Sequence, residues 1–381
     1  MEAALRGVEL SGLRSTHLSF EITDASSVAF ARRGAGEAAQ SIGFSETDAG
    51  RLALVVTEAC TNILKHAGHG ELLVRVDAGS AVAGVEITAL DAGPGIEDLG
   101  KAFDDGRSTA GTSGTGLGAI KRLSDELAVY SQPRLGTALR AVVRSKGQGG
   151  SPPAPALAMD IGGICTPLRG EAVSGDAWSV ESDQDGFTIT VADGLGHGPE
   201  AREAAVAALE VVYRRAGRAP ATLMELAHGA LRSTRGAAVA ICRLDLARSM
   251  LSFCGTGNIS AVAFGTGRPL SAAERPPAAL EARESWQLSS RNGIVGHAMR
   301  DAQQFDVAWP RNALLVLHSD GVATRWSLSA YPGLHLQPAA LVAAVIYRDF
   351  SRRRDDATVV VAKAAPGVEF VHEHTDIQAQ T

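Results

Sequence analysis

Three groups of residues in this chain have the types and the spacing to do chemistry. Glu58, Asn62 and His66 recur at i, i+4 and i+8 within Ser45–Ala67, where Leu52, Val55, Ala59 and Ile63 keep a helical period. An acid, an amide and an imidazole on one helical stripe make a polar wall rather than a core face. The second group begins where the strand-like run Val85–Leu90 enters Asp91-Ala92-Gly93-Pro94-Gly95-Ile96. A carboxylate at a strand end offers an acceptor, and the two glycines leave the backbone open to a flat group. Further on, Gly111-Thr112-Ser113-Gly114-Thr115-Gly116-Leu117-Gly118 leads into the helical pattern Leu117–Leu127. Unhindered N–H groups and a positive dipole end suit a phosphate chain. In this order, the three segments read as a nucleotide site.

The third group is acidic. Asp176, Asp193, Asp320 and the pair Asp355-Asp356 adjoin apolar runs, and Asp193 opens the glycine-rich Asp193-Gly194-Leu195-Gly196-His197-Gly198. Hard divalent cations take oxygen ligands, and Mg²⁺ or Mn²⁺ is held by carboxylates, waters and an occasional backbone carbonyl. A single Asp-Gly is more often a turn than a ligand, and Asp185-Gly186 reads as such a turn. Four separated acids at strand ends point instead to a metal centre. His197 beside it reads as a structural histidine rather than a general acid, and Asn258 as a structural loop residue.

These residues need elements to carry them. After the helix at 45–67, Glu71–Asp77 and Val82–Leu90 read as a hairpin, and Ala128–Gln132 and Thr137–Arg144 as another. Helices on one face of a mostly antiparallel sheet make the first part a small α+β sandwich. The second part reads as hairpins at Ala177–Ser182/Phe187–Ala192 and Ala237–Asp245/Met250–Cys254, with strands at Ala313–His318 and Thr358–Ala364. Its helices fall at Pro199–Ala216, Ala221–Arg235 and Gln337–Phe350, outside two hairpin-rich sheets. The uncharged, proline-bearing Gly149–Ala158 separates the parts and reads as a semi-rigid linker. The expected organisation is residues 1–148, a linker at 149–158, residues 159–366 and a polar tail at 367–381.

Composition bounds the function. With 381 residues, 45% of them hydrophobic, the chain can bury about two cores. The net charge of −6 and the lack of a basic run argue against nucleic acid as a partner. Ala339–Tyr347, the longest apolar run, is far below the ~18 residues that span a bilayer. Met1–Gly12 carries acids and lacks an apolar core, so no signal peptide is expected, and Cys60, Cys165, Cys242 and Cys254 follow no metal-binding pattern. A cytoplasmic protein with reduced, buried thiols is the expectation. Glycine is abundant, 42 residues, against a usual ~7%. Many of these glycines lie in the loops just named.

Glu58…Asn62…His66, DAGPGI and GTSGTGLG resemble the N, G1 and G2 boxes of the GHKL ATPase/kinase fold. Within it, the run GLGAIKRLSDEL is similar to the bacterial anti-sigma-type serine kinases of the RsbT/RsbW group. The resemblance covers about residues 15–144. It implies ATP as cofactor, with Asn62 holding Mg²⁺ between the phosphates and His66 on the same wall. Asp91 would accept from the adenine amino group, Gly93 and Gly95 would let the base lie close, and Gly114, Thr115, Gly116 and Gly118 would wrap the phosphates. Glu58 would be the base that takes the proton of a substrate serine hydroxyl, since phosphoryl transfer is mostly positioning and charge neutralisation.

Residues 159–365 resemble the PP2C-like phosphatases of the SpoIIE branch, and the opening MDIGGICTPLRGEAVSGDAW is similar to RsbX-type phosphatases. That resemblance implies two Mn²⁺ or Mg²⁺ ions held by Asp176, Asp193, Asp320 and Asp355, with a carbonyl from Gly194 and Asp356 as the alternative to Asp355. The position three residues after Asp176, an acid in many of these phosphatases, is Ser179 here. The two resemblances together imply a GHKL (Bergerat) α/β sandwich followed by a PP2C-like αββα sandwich. They imply a protein serine/threonine kinase and a phosphoserine/phosphothreonine phosphatase acting on STAS-domain anti-sigma antagonists or stressosome proteins. A sigma factor or a phosphatase activator is a further implied partner, and a homodimer is left open. The alternative is a non-catalytic, ATP-dependent binding module joined to a phosphatase.

Overall fold

The computed structural model describes residues 16–77, 82–103, 116–146, 159–265, 285–310 and 312–365. The first part of the chain runs β1 (Leu18–Ile22), α1 (Ala25–Ser41), α2 (Glu46–Asn62), β2 (Gly70–Asp77), β3 (Gly84–Asp91), α3 (Leu99–Ala102), α4 (Gly116–Leu123), β4 (Glu126–Gln132) and β5 (Gly136–Arg144). Its strands form one antiparallel sheet of order β1-β2-β3-β5-β4. Alternation along the strands sends Leu72, Val74, Val85, Ile87, Leu139 and Ala141 to one face, where α1 and α2 cover them. Both helices are capped by side chains: Asp24 closes a capping box on α1, and Ser45 accepts from the Asp48 N–H on α2. The helical pattern at 117–127 is shorter than expected. α4 stops at Leu123, and Leu127 is already in β4.

The second part runs β6 (Met159–Thr166), β7 (Asp176–Ser182), β8 (Gly186–Gly194), α5 (Pro199–Arg214), α6 (Pro220–Ala230), β9 (Ala237–Asp245), β10 (Met250–Thr256), β11 (Ser260–Phe264), β12 (Ser285–Leu288), β13 (Gln304–Ala308), β14 (Leu314–His318), α7 (Ala339–Phe350) and β15 (Ala357–Ala364). Two five-stranded antiparallel sheets result, β13-β10-β9-β8-β7 and β12-β11-β14-β15-β6. Trp178, Ile189, Val191 and Phe253 of one sheet meet Leu315, Leu317 and Val360 of the other in a core between them. α5 and α6 cover the outside of the first sheet through Ala205, Leu209, Leu223 and Met224. α7 covers the second, which completes an αββα sandwich.

The apolar run that begins at Ala339 owes its length to α7 being buried on two sides. Residues 339–347 of α7 are all buried, packed against Ile164, Val359 and Val361 on one side and against Leu73, Leu90, Tyr130 and Ala138 of the first sheet on the other. A helix apolar all round is a helix covered all round. The two parts of the chain therefore share α7 as a common layer. No described helix is long and apolar enough to cross a membrane. The four cysteines are buried free thiols, as their scatter predicts. The segment 149–158 and the tail 367–381 lie outside the described residues.

Candidate nucleotide site and metal centre

The polar wall of α2 faces the start of α4. Glu58 and Asn62 are half-buried, and a Cβ placed on Gly116 would stand 3.0 Å from the Asn62 Oδ1 and 3.4 Å from the Glu58 Oε2. The acid and the amide thus converge on the first residue of α4, where backbone N–H groups have no intrahelical partner. The helix continues through a single π-helical stretch, Ile63–Ala67, which carries the exposed His66. Such π-turns recur at functional sites because they shift the register of the stripe. Gly118 is buried within α4, while Gly114 and Thr115 lie outside the described residues.

Asp91 ends β3 beside this wall. Its Oδ1 accepts from the N–H of Gly93 at 2.9 Å and of Thr137 at 3.2 Å, which fixes the carboxylate without using Oδ2. Burial raises its pKa, against the lowering effect of those two N–H groups and of Arg348 and His66. The glycines after it are also needed for the packing of the loop itself. The room left at Gly93 is filled by Ala67, and that at Gly95, which sits at φ +74°, by the Gln132 carbonyl. Both let the 92–96 loop close onto the chain itself.

The second site forms where strand ends of the two sheets meet. Asp176 and Asp193 are cross-strand partners in the β7–β8 ladder, and Asp320 follows β14. Burial and the neighbouring carboxylates raise the pKa of Asp193 to about 9 and that of Asp176 to about 7, and they raise Asp320 and Asp356 as well. The fields that act on Asp193 come from Asp176, Asp320, Asp355 and Asp356, so the five acids lie at one end of the sandwich. Among the described residues, no group of three His, Cys, Asp or Glu side chains is arranged so that it could hold a metal ion. Carboxylates that raise one another's pKa repel, and a divalent cation would relieve that repulsion.

The geometry separates the roles of the final pair. Both oxygens of the buried Asp356 are engaged, Oδ1 by the Leu168 N–H at 2.7 Å and Oδ2 by the Gly175 N–H at 2.8 Å. Asp355 is exposed beside it, its Oδ1 accepting from the Asp356 N–H. Gly194 ends β8 against the Ala201 carbonyl, with no room for a Cβ, and its N–H donates to Gly175 O at 3.2 Å. His197 is exposed and pairs with Glu171 at 2.7 Å, in keeping with a structural role. Ser179 lies on the face of β7 opposite to Asp176, since the two are three positions apart on one strand.

Some supporting residues were not visible in the sequence. Ser319 donates from Oγ to Asp176 Oδ2 at 2.6 Å and accepts from the Thr358 N–H, so it links three strands at the site. Asn258, expected as a structural residue of a loop near the site, donates from Nδ2 to Asp320 Oδ2 at 2.7 Å, a partner that the sequence does not indicate. Arg202 of α5 donates to the Asp176 carbonyl at 2.7 Å. Only the adjacency of Ser319 to Asp320 could have drawn attention to one of them.

Comparison with known proteins follows the same division. Residues 21–143 match the Histidine kinase-like ATPase domain. Over 104 residues the chain is 38% identical to the serine/threonine-protein kinase RsbT of Bacillus subtilis (strain 168), covering 27% of this chain and 78% of RsbT. Over 91 residues it is 28% identical to the phosphoserine phosphatase RsbX of the same organism, covering 24% of this chain and 46% of RsbX, about half that relative's length. A crystal structure of RsbX in complex with magnesium superposes with a TM-score of 0.46 at 17% identity, covering 56% of this chain and 98% of that one. Through residues 21–143 the chain belongs to the RsbT-like kinase family built on the histidine kinase-like ATPase domain, and its second part is similar to the phosphatase RsbX.

Proposed function

We propose that this chain is a bifunctional partner-switching regulator of the cytoplasm. Residues 1–148 would transfer phosphate from ATP to a serine or threonine of a STAS-domain protein, and residues 159–366 would remove it. Support comes from acids retained at both sites: Glu58 beside Asn62 and Gly116 in one, Asp193 facing Asp176 in the other. In the kinase half, Glu58 would accept the substrate hydroxyl proton, Asn62 would hold Mg²⁺, and Asp91 would fix the adenine through its free acceptor. In the phosphatase half, Asp176, Asp193, Asp320, Asp355 and the Gly194 carbonyl would hold Mn²⁺ or Mg²⁺. Bound there, the metals supply a water of lowered pKa. Ser319 and Asn258 would keep two of the carboxylates oriented.

The test is direct. Purified chain is incubated with Mg²⁺, ATP and a STAS-domain protein, and the phosphorylated product is then returned to it with Mn²⁺. Transfer followed by removal is expected, with Glu58→Gln lowering transfer by ~10²–10⁴-fold, the usual contribution of a general base. If Glu58→Gln transfers as well as the parent while Asn62→Ala abolishes ATP binding, the first half is a binding module. If neither transfer nor removal occurs, the whole reading falls.

A further inference from the structure

The turn that precedes Asp355 is tied to a strand of the first sheet. Glu71, on β2 of the kinase-like half, is almost fully buried against α7. Its Oε2 accepts from Arg353 Nη1 at 2.6 Å, and its Oε1 accepts from Tyr347 Oη at 3.0 Å and Ser19 Oγ at 2.6 Å. Arg353 also donates to Tyr347 Oη at 3.0 Å, and its guanidinium lies 4.9 Å over the Tyr347 ring. Arg353 sits just past the end of α7 and two residues before Asp355.

The backbone of Arg353 is in the left-handed region, at φ +57°. A non-glycine residue stays there only where its surroundings over-determine it. On one side of this turn the Arg352 N–H donates to the Gly321 carbonyl at 2.8 Å, next to Asp320. On the other side, the side chain of Arg353 is fastened to Glu71. Within the turn itself, the Arg353 N–H reaches Ser351 Oγ at a long 3.4 Å. An exposed ion pair would hold little. Here Arg353 is half-exposed, but the acid is buried, accepts from three donors and secures a residue in the left-handed region.

We propose that Glu71 is a positioning residue of the phosphatase site, acting through Arg353 to set the turn that presents Asp355. The inference rests on the reading of Asp355 and Asp193 as metal ligands. It makes the kinase-like half a structural part of the metal centre. Loss of the Glu71–Arg353 bond would release the left-handed turn and blur the position of Asp355, while Asp176, Asp193 and Asp320 stay in place. Metal affinity falls, and the nucleotide site, which uses neither residue, is spared.

The experiment is Mn²⁺ titration of the full chain by calorimetry, with ATP affinity and circular dichroism measured on the same samples. The parent protein should bind Mn²⁺ and Asp193→Ala should not. Glu71→Gln and Arg353→Ala should each weaken Mn²⁺ on the order of tenfold, the usual effect of removing a partner that orients a ligand. The double variant should be no weaker than either single one, because the two residues act as a unit. Arg353→Gly should lose less than Arg353→Ala, since glycine adopts the left-handed turn without strain. A merely structural ion pair would leave this ordering absent. Unchanged Mn²⁺ affinity in folded Glu71→Gln, or in Arg353→Ala should Glu71→Gln not fold, overturns the proposal while leaving the metal-centre reading intact. A parent protein that binds no Mn²⁺, or an Asp193→Ala variant that binds it equally, overturns that reading and the proposal with it.

Discussion

Asp176 and Asp193 stand directly opposite each other on neighbouring antiparallel strands, one almost fully buried and the other flanked by three further acids. Like charges at such a pair oppose folding, and burial adds to the penalty. A sequence under selection for stability alone would not keep both. Asp193→Asn keeps the shape and removes the cost of neutralising a carboxylate that is ionised in the unfolded chain, so at pH 7 without metal it should stabilise the chain by on the order of 1–3 kcal/mol. The same variant should lose the stabilisation that Mn²⁺ gives the parent, about 2.7 kcal/mol when metal is at a hundred times its dissociation constant. Thermal melts of the two proteins with and without Mn²⁺ check both signs. A variant that is less stable without metal would contradict the reading of the pair as a metal site.

Asp355 and Asp356 are adjacent in sequence and differ in what removing them should do. Asp356 caps two backbone N–H groups from Leu168 and Gly175, and Asp356→Ala would leave both without their acceptor. At ~1–3 kcal/mol for each orphaned donor, the apo protein should lose about 2–6 kcal/mol. Asp355→Ala should leave the apo melting temperature nearly unchanged and remove the Mn²⁺-induced rise. Urea denaturation with and without Mn²⁺ separates the two. Equal destabilisation by both would show that Asp355 is also structural.

The hairpins of both sandwiches and the acids at their ends were legible because strand alternation and Asp-Gly turns are local signals. Other elements were hidden by small residues. α1 buries only Ala31, Ala35 and Ala39 among its core positions, too little apolar contrast for its period to stand out. β6 carries Gly162 and Gly163, which weaken a strand pattern; a Cβ on the first would run into Ala340 of α7, and one on the second would crowd Val359 and Trp178. Long-range partnerships left no trace at all. Glu71 and Arg353 are separated by 282 positions, and nothing local to either says that they meet. Ser319 and Asn258 are ordinary polar residues until the fold brings Asp176 and Asp320 to them.

Gly136 shows how closely the nucleotide side is packed. It sits at φ +92°, and a Cβ there would overlap the carbonyl oxygen of Asp91. Gly136→Ala should therefore cost about 1–3 kcal/mol and also weaken ATP binding, because Asp91 must move to make room. Gly43→Ala is the control: its φ is +71° but no atom lies within 4 Å of the added Cβ, so it should cost about 1 kcal/mol and leave ATP affinity alone. Calorimetric ATP titrations beside urea melts distinguish strain from displacement. Equal ATP affinity in both variants would mean that the Asp91 carboxylate is not part of the nucleotide site.

Glu86 is buried in the first sheet, where Oε1 accepts from Arg75 Nη2 at 2.9 Å and Oε2 from Arg140 Nε at 2.6 Å, with His17 Nε2 3.7 Å away. Burial pushes its pKa up, but Arg75, Arg140 and His17 outweigh it and hold the carboxyl well below its ordinary 4.5. His17 moves down from 6.5, chiefly because burial disfavours its charged form. Both groups bind fewer protons folded than unfolded, so their contribution is full above the unfolded values and is lost as the pH falls. The loss begins below about 6.5 with His17 and continues below about 4.5 with Glu86. Glu86→Gln leaves two buried guanidinium groups without their carboxylate and should cost about 3–5 kcal/mol at pH 7. That difference from the parent should shrink as the pH drops below 4.5, because the unfolded parent then takes up a proton that the folded carboxylate does not. Comparing the two proteins cancels the acids of the metal centre, whose raised pKa values act in the opposite direction. Urea melts at pH 7, 5.5 and 4 measure the difference, and one that stays constant to pH 4 would mean that folding does not lower the Glu86 pKa.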